Sequence, residues 1–303
     1  MKIISKKAIS RREYWIEEIK NISGNFGDEA QRLENELELE IKKYGKSVLI
    51  DHLRLCGNIP EMYGHDTSEE KQYSKYTDAL LSFAYKAMGL KSAVLTERAD
   101  VADVDVYAKK YSFVADAKAF RLSRTAKNQK DFKVQAMDNW KHGKPYAMVV
   151  APIYQLPSRS SQIYQQASTR NVCIFTYSHL SLLVNYAIEE SHSKAEELLH
   201  RIFKITPALN PSKSANDYWL TVNKTILDFS KVLNELWQIE KIASVEAIEI
   251  AKYEGLKYLA SEREKIMRMT HDEALKELIK LSKIESKIKI IESISDNGLF
   301  EIK

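Results

Sequence analysis

The residues with the clearest chemical potential in this chain are Asp116-Ala117-Lys118, inside the stretch YSFVADAKAF (111–120). The stretch reads as a strand, on which residues i and i+2 project from one face, roughly 6.6 Å apart along it. A carboxylate and an ammonium therefore address one site. The preceding stretch VDVYAK (104–109) alternates in the same way, and the short interval between the two predicts a hairpin. Asp103 and Asp105 belong to that first arm, two residues apart, and either can come to lie beside Asp116. Two adjacent carboxylates repel unless a cation joins them. Oxygen-only ligands favour Mg2+, and a lysine beside such an ion can position or deprotonate a water and neutralise phosphate charge. The chemistry that fits is metal-dependent hydrolysis of a phosphodiester. D-x-K also arises often by chance, and a solvent-facing strand with a surface ion pair is the competing explanation.

The next residues favour a polyanion. KAFRLSRTAKNQKDFK (118–133) holds Lys118, Arg121, Arg124, Lys127, Lys130 and Lys133 against Asp131 alone. Its net charge of +5 leaves −1 over the remaining 287 residues of a chain whose total is +4. Ser123, Thr125, Asn128 and Gln129 are interleaved and can bond phosphates or base edges. A helix is predicted over about 123–141, with Ser123 as its N-cap, since a helix N-terminus favours phosphate. Phe132, Ala136 and Trp140 would bury one face of it. The alternative, a solvated basic helix, is weakened by adjacency to the carboxylates.

Other catalytic signatures are missing. The sequence contains no G-x-x-x-x-G-K, G-x-G-x-x-G, G-x-S-x-G or H-E-x-x-H. No two of the seven histidines stand four apart, so His52 and His179 read as packing or surface residues. Trp140, Trp219 and Trp237 read as core anchors. Cys56 and Cys173 are too few for a disulfide framework or a four-cysteine zinc site, which points to the cytoplasm. No apolar run reaches the ~18 residues of a membrane span. Nine glycines and six prolines, about 5% of the chain against a typical ~12%, imply long helices and argue against propellers and glycine-rich nucleotide loops.

The elements that must position the site follow from the same pattern. Residues 1–100 read as mainly helical: 28–45 ends at Gly45, KSVLIDHLRLCG ends at Gly57 as a C′ residue, and 67–90 opens with Thr67 and Glu70 at capping-box spacing. Residues 101–177 read as an α/β core with strand order β-β-α-β-α-β, using YAMVVAP (146–152), NVCIFT (171–176) and helices at 123–141 and 157–169. Residues 178–303 return to helix, broken at Pro207–Pro211, with a second capping box at Thr270 and Glu273. The expected fold is α/β (α+β), a mixed central sheet flanked by helices, in a single domain 1–303 with N- and C-terminal helical extensions.

VADAKAFRLSRTAKNQKDFKV (114–134) closely resembles the active-site segment of the HindIII-type restriction endonucleases, a family of the PD-(D/E)xK nuclease superfamily. Weaker similarity runs from Ile59 to His179, including IPE (59–61), EK (70–71) and SQI (161–163), and returns at SKI (286–288). The resemblance implies a PD-(D/E)xK nuclease core and a homodimeric type II site-specific deoxyribonuclease that cuts the palindrome AAGCTT in double-stranded DNA after the first A. It further implies Mg2+ dependence, four-base 5′ overhangs and a place in a restriction-modification system. The family's D-x-K falls on Asp116 and Lys118. Its upstream metal-binding acid falls best on Asp103, with Asp105 as the alternative. Metal would be held by Asp103, Asp116 and the Ala117 carbonyl. Lys118 would orient the water, and the helical Glu70 is a candidate to assist it or a second metal. DNA contacts would come from Arg121, Ser123, Arg124, Thr125, Lys127, Asn128, Lys130 and Lys133. The chain departs from the family in having Ala102 before Asp103 in place of proline, and an Asp103–Asp116 interval about two residues shorter.

Two rivals remain at this level, while a third, a helical interaction protein, leaves the focused +5 charge unexplained. A non-catalytic DNA-binding protein would use the basic segment and keep Asp116 as an ion-pair partner. A structure-directed repair or recombination nuclease would share the metal site without palindrome readout.

Overall fold

The computed structural model describes residues 2–22, 24–95, 101–124, 129–158, 161–209 and 214–293, with the side chains of 129 and 130 left aside. Five strands form one sheet in simple sequential order, β1 (Lys91–Val94), β2 (Val104–Tyr107), β3 (Ser112–Ala117), β4 (Tyr146–Ala151) and β5 (Val172–Thr176). The expected hairpin is β2–β3, antiparallel, in register from Val104 opposite Ala115 to Tyr107 opposite Ser112. β3, β4 and β5 run parallel, with Ala117 beside Val150 and Ala151 beside Thr176. β4 and β5 are buried almost throughout, as apolar central strands must be. The sheet is thus mixed, with helices against it, as the sequence implied.

β1 was not anticipated. Its four residues KSAV alternate between exposed and half-buried and pair antiparallel with β2. A short polar edge strand lacks the apolar run that announces a central one.

The helical frame holds α1 (Lys6–Lys20), α2 (Phe26–Tyr44), α3 (Lys46–Leu55) and α4 (Ser68–Ala87) before the sheet. Thr67 caps α4 as expected, its hydroxyl accepting from the Glu70 N–H at 3.4 Å, but the Glu70 carboxylate accepts from the Asp66 N–H instead of closing the box. α4 contacts β1, β2 and β3. α3 stops as expected, with Cys56 as its C-cap and Gly57 at C′, but the glycine is not there for a left-handed backbone. Gly57 lies beyond α3 and is absent from the positive-φ residues; a Cβ there would sit 2.7 Å from the Pro152 Cβ. The glycine permits a close approach between loops.

The helix expected over 123–141 is corrected. A turn covers 122–123, Gln129–Phe132 forms one 3-10 turn, Lys133 is left-handed (φ 46°), and among the described residues of this stretch only Val134–Asn139 is α-helical (α5). Phe132 and Val134 are both buried. Residues two apart lie ~200° around a helix, so a straight helix could not bury both on one face; the left-handed step at Lys133 does. The helix expected at 157–169 is shorter, α6 (Ile163–Thr169). After β5 come α7 (Tyr177–Glu189), α8 (His192–Ala208), α9 (Ala215–Leu227) and α10 (Lys231–Met267). The break expected at Pro207–Pro211 falls where α8 ends: Pro207 lies in its last turn, α8 stops at Ala208 and α9 opens at Ala215, with 210–213 outside the described residues.

Met1–Gly255 forms one compact unit and Leu256–Lys303 a second. The second contains α11 (His271–Leu281) and α12 (Ile284–Glu292), and Thr270 with Glu273 makes the complete capping box that the sequence predicted. Among the described residues, no helix is long and apolar enough to cross a membrane.

Candidate active site

β3 carries Asp116 and Ala117 at its end, and Lys118 follows, its N–H donating to the Val150 carbonyl at 2.8 Å. One step beyond the Val104–Ala115 pair, the antiparallel register sets Asp103 opposite Asp116. The Leu95 N–H holds the Asp103 carbonyl at 2.8 Å, so Asp103 is fixed between β1 and β3 although it precedes β2 proper. Asp116 is 2% exposed and forms an ion pair with Lys118 through Oδ2. The Asp103 carboxyl feels the Asp116 charge across the two strands.

Asp105 is not part of this cluster's ion pairing. Opposite Val114, it is held by Lys144 at 3.1 Å and accepts from the Tyr107 hydroxyl at 3.1 Å. Glu70 is also elsewhere, 2.9 Å from the Arg121 guanidinium. The helical acid that does feel Asp116 is Asp78, on α4, 2% exposed and paired with Lys75 at 2.9 Å. Sequence reasoning missed it. The available signal was that Asp78 is the only charged residue in YTDALLSFAY (76–85), and an acid in such a stretch is rarely buried without a reason.

The electrostatics express crowding. Burial pushes the Asp78 carboxyl up to about 6, with Lys75 opposing and Asp116 adding to the rise. Asp103 is raised well above the usual carboxylate range by burial, then by Asp78 and Asp116. Burial lowers the Lys118 ammonium, but Asp116 and Asp103 outweigh it and the net shift is upward. Carboxylates this close cannot all ionise without a cation among them. The donor set is oxygen-only and includes Asp116 Oδ2, sealed from solvent. It suits a hard divalent cation. His65, Asp66 and Glu70 also bring ligand atoms within 4.8 Å of one another, but Arg121 already occupies the Glu70 carboxylate.

Downstream of Lys118 the chain is laid along residues 57–64. The Phe120 N–H donates to the Gly57 carbonyl at 3.1 Å, and the Ile59 N–H to the Phe120 carbonyl at 3.2 Å. Arg121 donates to the carbonyls of Tyr63 (3.0 Å) and Gly64 (2.6 Å). Ser123 is not an N-cap: its N–H and hydroxyl donate to the Glu61 carboxylate at 2.9 and 2.6 Å. Arg124 pairs with Asp131 and stacks over the Phe120 ring at 5.0 Å. Lys133 stands over Trp140 at 5.4 Å. Thr125, Lys127 and Asn128 lie outside the described residues, as does the Lys130 side chain.

A buried guanidinium organises the start of that bed. Arg12, on α1, is 6% exposed and uses all five N–H donors: two on Glu254 of α10, one each on the Leu55 and Asn58 carbonyls, and one on the Tyr73 hydroxyl, at 2.8–3.0 Å. The single Tyr73 hydroxyl proton is in turn shared between the Cys56 and Asn58 carbonyls. Asn58 is bridged to Phe120, two residues after Lys118. Nothing local in the sequence marks Arg12, because its partners lie 43 to 242 positions away.

Comparison with known proteins bears on the family of the chain. The family model of the HindIII restriction endonuclease matches residues 12–295. The type II restriction enzyme HindIII of Haemophilus influenzae is 33% identical over 297 residues, covering 96% of this chain and 96% of the relative. The match spans the helical frame as well as the sheet, and the chain belongs to the HindIII restriction endonuclease family.

Proposed function

We propose that this type II restriction endonuclease hydrolyses DNA phosphodiester bonds in both strands at AAGCTT, after the first A, leaving 5′ overhangs. The observation that carries the reading is the meeting of Asp103 and Asp116 across two strands with Lys118 beside them, immediately ahead of the basic segment. Asp103, Asp116 and the Ala117 carbonyl would hold Mg2+, which when bound polarises a phosphate oxygen and acidifies a water. Lys118, anchored by Asp116, orients the attacking water and offsets charge that develops on the phosphate. Asp78 and Lys75 form a second acid–base pair at the rim of the cluster and tune its charge. Arg124, Lys133 and residues 125–130 supply DNA contacts. Arg121 and Ser123, bound to the 57–64 segment, shape the path of the chain there. A palindrome read symmetrically calls for a homodimer with one site per strand, acting in the cytoplasm.

The test is digestion of a plasmid of known sequence with Mg2+, followed by sequencing of the ends. Discrete cuts at AAGCTT with 5′ extensions are expected. Scattered nicks, or binding without cleavage, would reject the reading.

A further inference from the structure

Glu61 places a carboxylate where a DNA-binding segment would ordinarily present only donors. Both of its oxygens are engaged by Ser123, five residues after Lys118: Oε1 by the N–H at 2.9 Å and Oε2 by the hydroxyl at 2.6 Å. Its stem lies against α10, where a Cβ on Gly255 would come 3.3 Å from the Glu61 Cγ. The side chain is therefore confined on one side by a helix backbone and on the other by the turn it binds.

The neighbouring contacts give this confinement a direction. Phe120 is joined to Gly57 and Ile59 through the backbone, and Arg121 to Tyr63 and Gly64. The Arg121 carbonyl accepts from Gln155 at 2.6 Å. Residues 120 and 121 are thus fixed by other groups, and Glu61 binds the last turn before the segment 125–130. Ser123 is thereby held to the 57–64 segment through Glu61, as Arg121 is through its backbone partners. A negative charge here also opposes phosphate, so it weakens non-specific DNA affinity. Among the described contacts, what the carboxylate gains in return is geometric.

We infer that Glu61 is a positioning residue that fixes the exit of the basic segment, and through it the cleavage rate and the discrimination between sites. The inference rests on the restriction-enzyme reading above. Three variants separate hydrogen bonding from charge. Glu61→Gln keeps an acceptor for the Ser123 N–H and a donor for its hydroxyl but removes the charge. Glu61→Ala removes both, and Ser123→Ala removes one hydrogen bond.

The full-length protein is assayed three ways: single-turnover cleavage of an AAGCTT duplex, binding to cognate and single-mismatch duplexes in Ca2+, and amide hydrogen exchange of the peptide spanning 119–124. Thermal unfolding accompanies each variant. Glu61→Ala should cut at least tenfold more slowly, narrow the cognate preference at least fivefold and exchange faster over 119–124. Ser123→Ala should shift all three in the same direction by less. Glu61→Gln should keep the rate within threefold and bind mismatched DNA several-fold more tightly. Wild-type exchange and wild-type discrimination in Glu61→Ala would overturn the inference. So would faster cleavage, which would mark the contact as a brake. A wild-type protein that cuts another sequence refutes the AAGCTT reading, while the exchange measurement still decides the positioning role.

Discussion

Removing Arg12 and removing its carboxylate partner should not destabilise the protein equally. Arg12 is 6% exposed, whereas the Glu254 side chain is 28% exposed. The destabilisation on breaking a buried pair, about 3–5 kcal/mol, comes largely from the charge left behind without a partner. In Arg12→Met the survivor is Glu254, which reaches water, and Asn58 keeps the Tyr73 hydroxyl on its carbonyl at 2.9 Å. The expected loss is about 3 kcal/mol, the low end of that range. In Glu254→Ala the survivor is a guanidinium sealed in the core with two of its five donors unpaired. The expected loss is about 4–5 kcal/mol. Arg12→Lys keeps the charge but has three donors in place of five, so about 2 kcal/mol should go with the missing bonds. Urea denaturation reads these as midpoint shifts at constant slope, and thermal unfolding as ~2–4 °C per kcal/mol for a unit of this size. A Glu254→Ala variant as stable as Arg12→Met would refute the argument that the residual charge sets the penalty. Since Arg12 holds the Asn58 carbonyl and Asn58 is bridged to Phe120, Arg12→Lys should also slow cleavage at temperatures where it is fully folded.

Other expectations concern the site and its surroundings. Lys118→Met should lower single-turnover cleavage by at least a hundredfold while binding in Ca2+ stays near wild type; cleavage within tenfold of wild type would remove Lys118 from the water-positioning role. Asp103→Asn should reduce cleavage far more than Asp105→Asn, because Asp105 already answers to Lys144 and Tyr107; the reverse order would shift the upstream ligand to Asp105. Lys133→Ala should weaken binding to all DNA sequences and flatten the salt dependence by about one unit of slope. Burial pushes the His179 imidazole down from 6.5 to about 4, with the Asn223 hydrogen bond opposing. The unfolded chain then takes up a proton below about pH 6.5 that the folded protein refuses. Stability is therefore lost as pH falls from about 6.5 to about 4, by on the order of 3 kcal/mol. His179→Gln should flatten that part of the urea-midpoint profile, and an unchanged slope would show that another group carries it.

The parts of the site that follow local rules were legible in the sequence. Period-two alternation located β2, the short interval after it located β3 as its hairpin partner, and strand geometry put Asp116 and Lys118 on one face. The charge focus at 118–133 marked the segment proposed above to contact DNA. What lay hidden depends on distant pairing. Asp78 matters because α4 lies against β1–β3, and Glu61 matters because residues 57–64 run beside residues 120–123. Local propensity also lost to packing at 129–134, where burying both Phe132 and Val134 required a left-handed residue that no helix pattern announces. The four-residue β1 carried too little apolar character to compete with a loop.

The pairing of Asp103 with Asp116 imposes a parity rule on the hairpin between them. In an antiparallel pair, partners keep a constant sum of residue numbers, here 219 from Val104 and Ala115 down to Tyr107 and Ser112. Deleting two residues at the hairpin end removes one rung and leaves the two acids opposite each other and on the same face. Deleting one turns every side chain of one arm to the other side of the sheet unless a bulge absorbs the change. A two-residue change in this interval is therefore silent at the site, whereas a one-residue change would separate the acids. Length variation in this hairpin among nucleases of this kind should come in even steps, and an odd step should coincide with a bulge in β2 or β3.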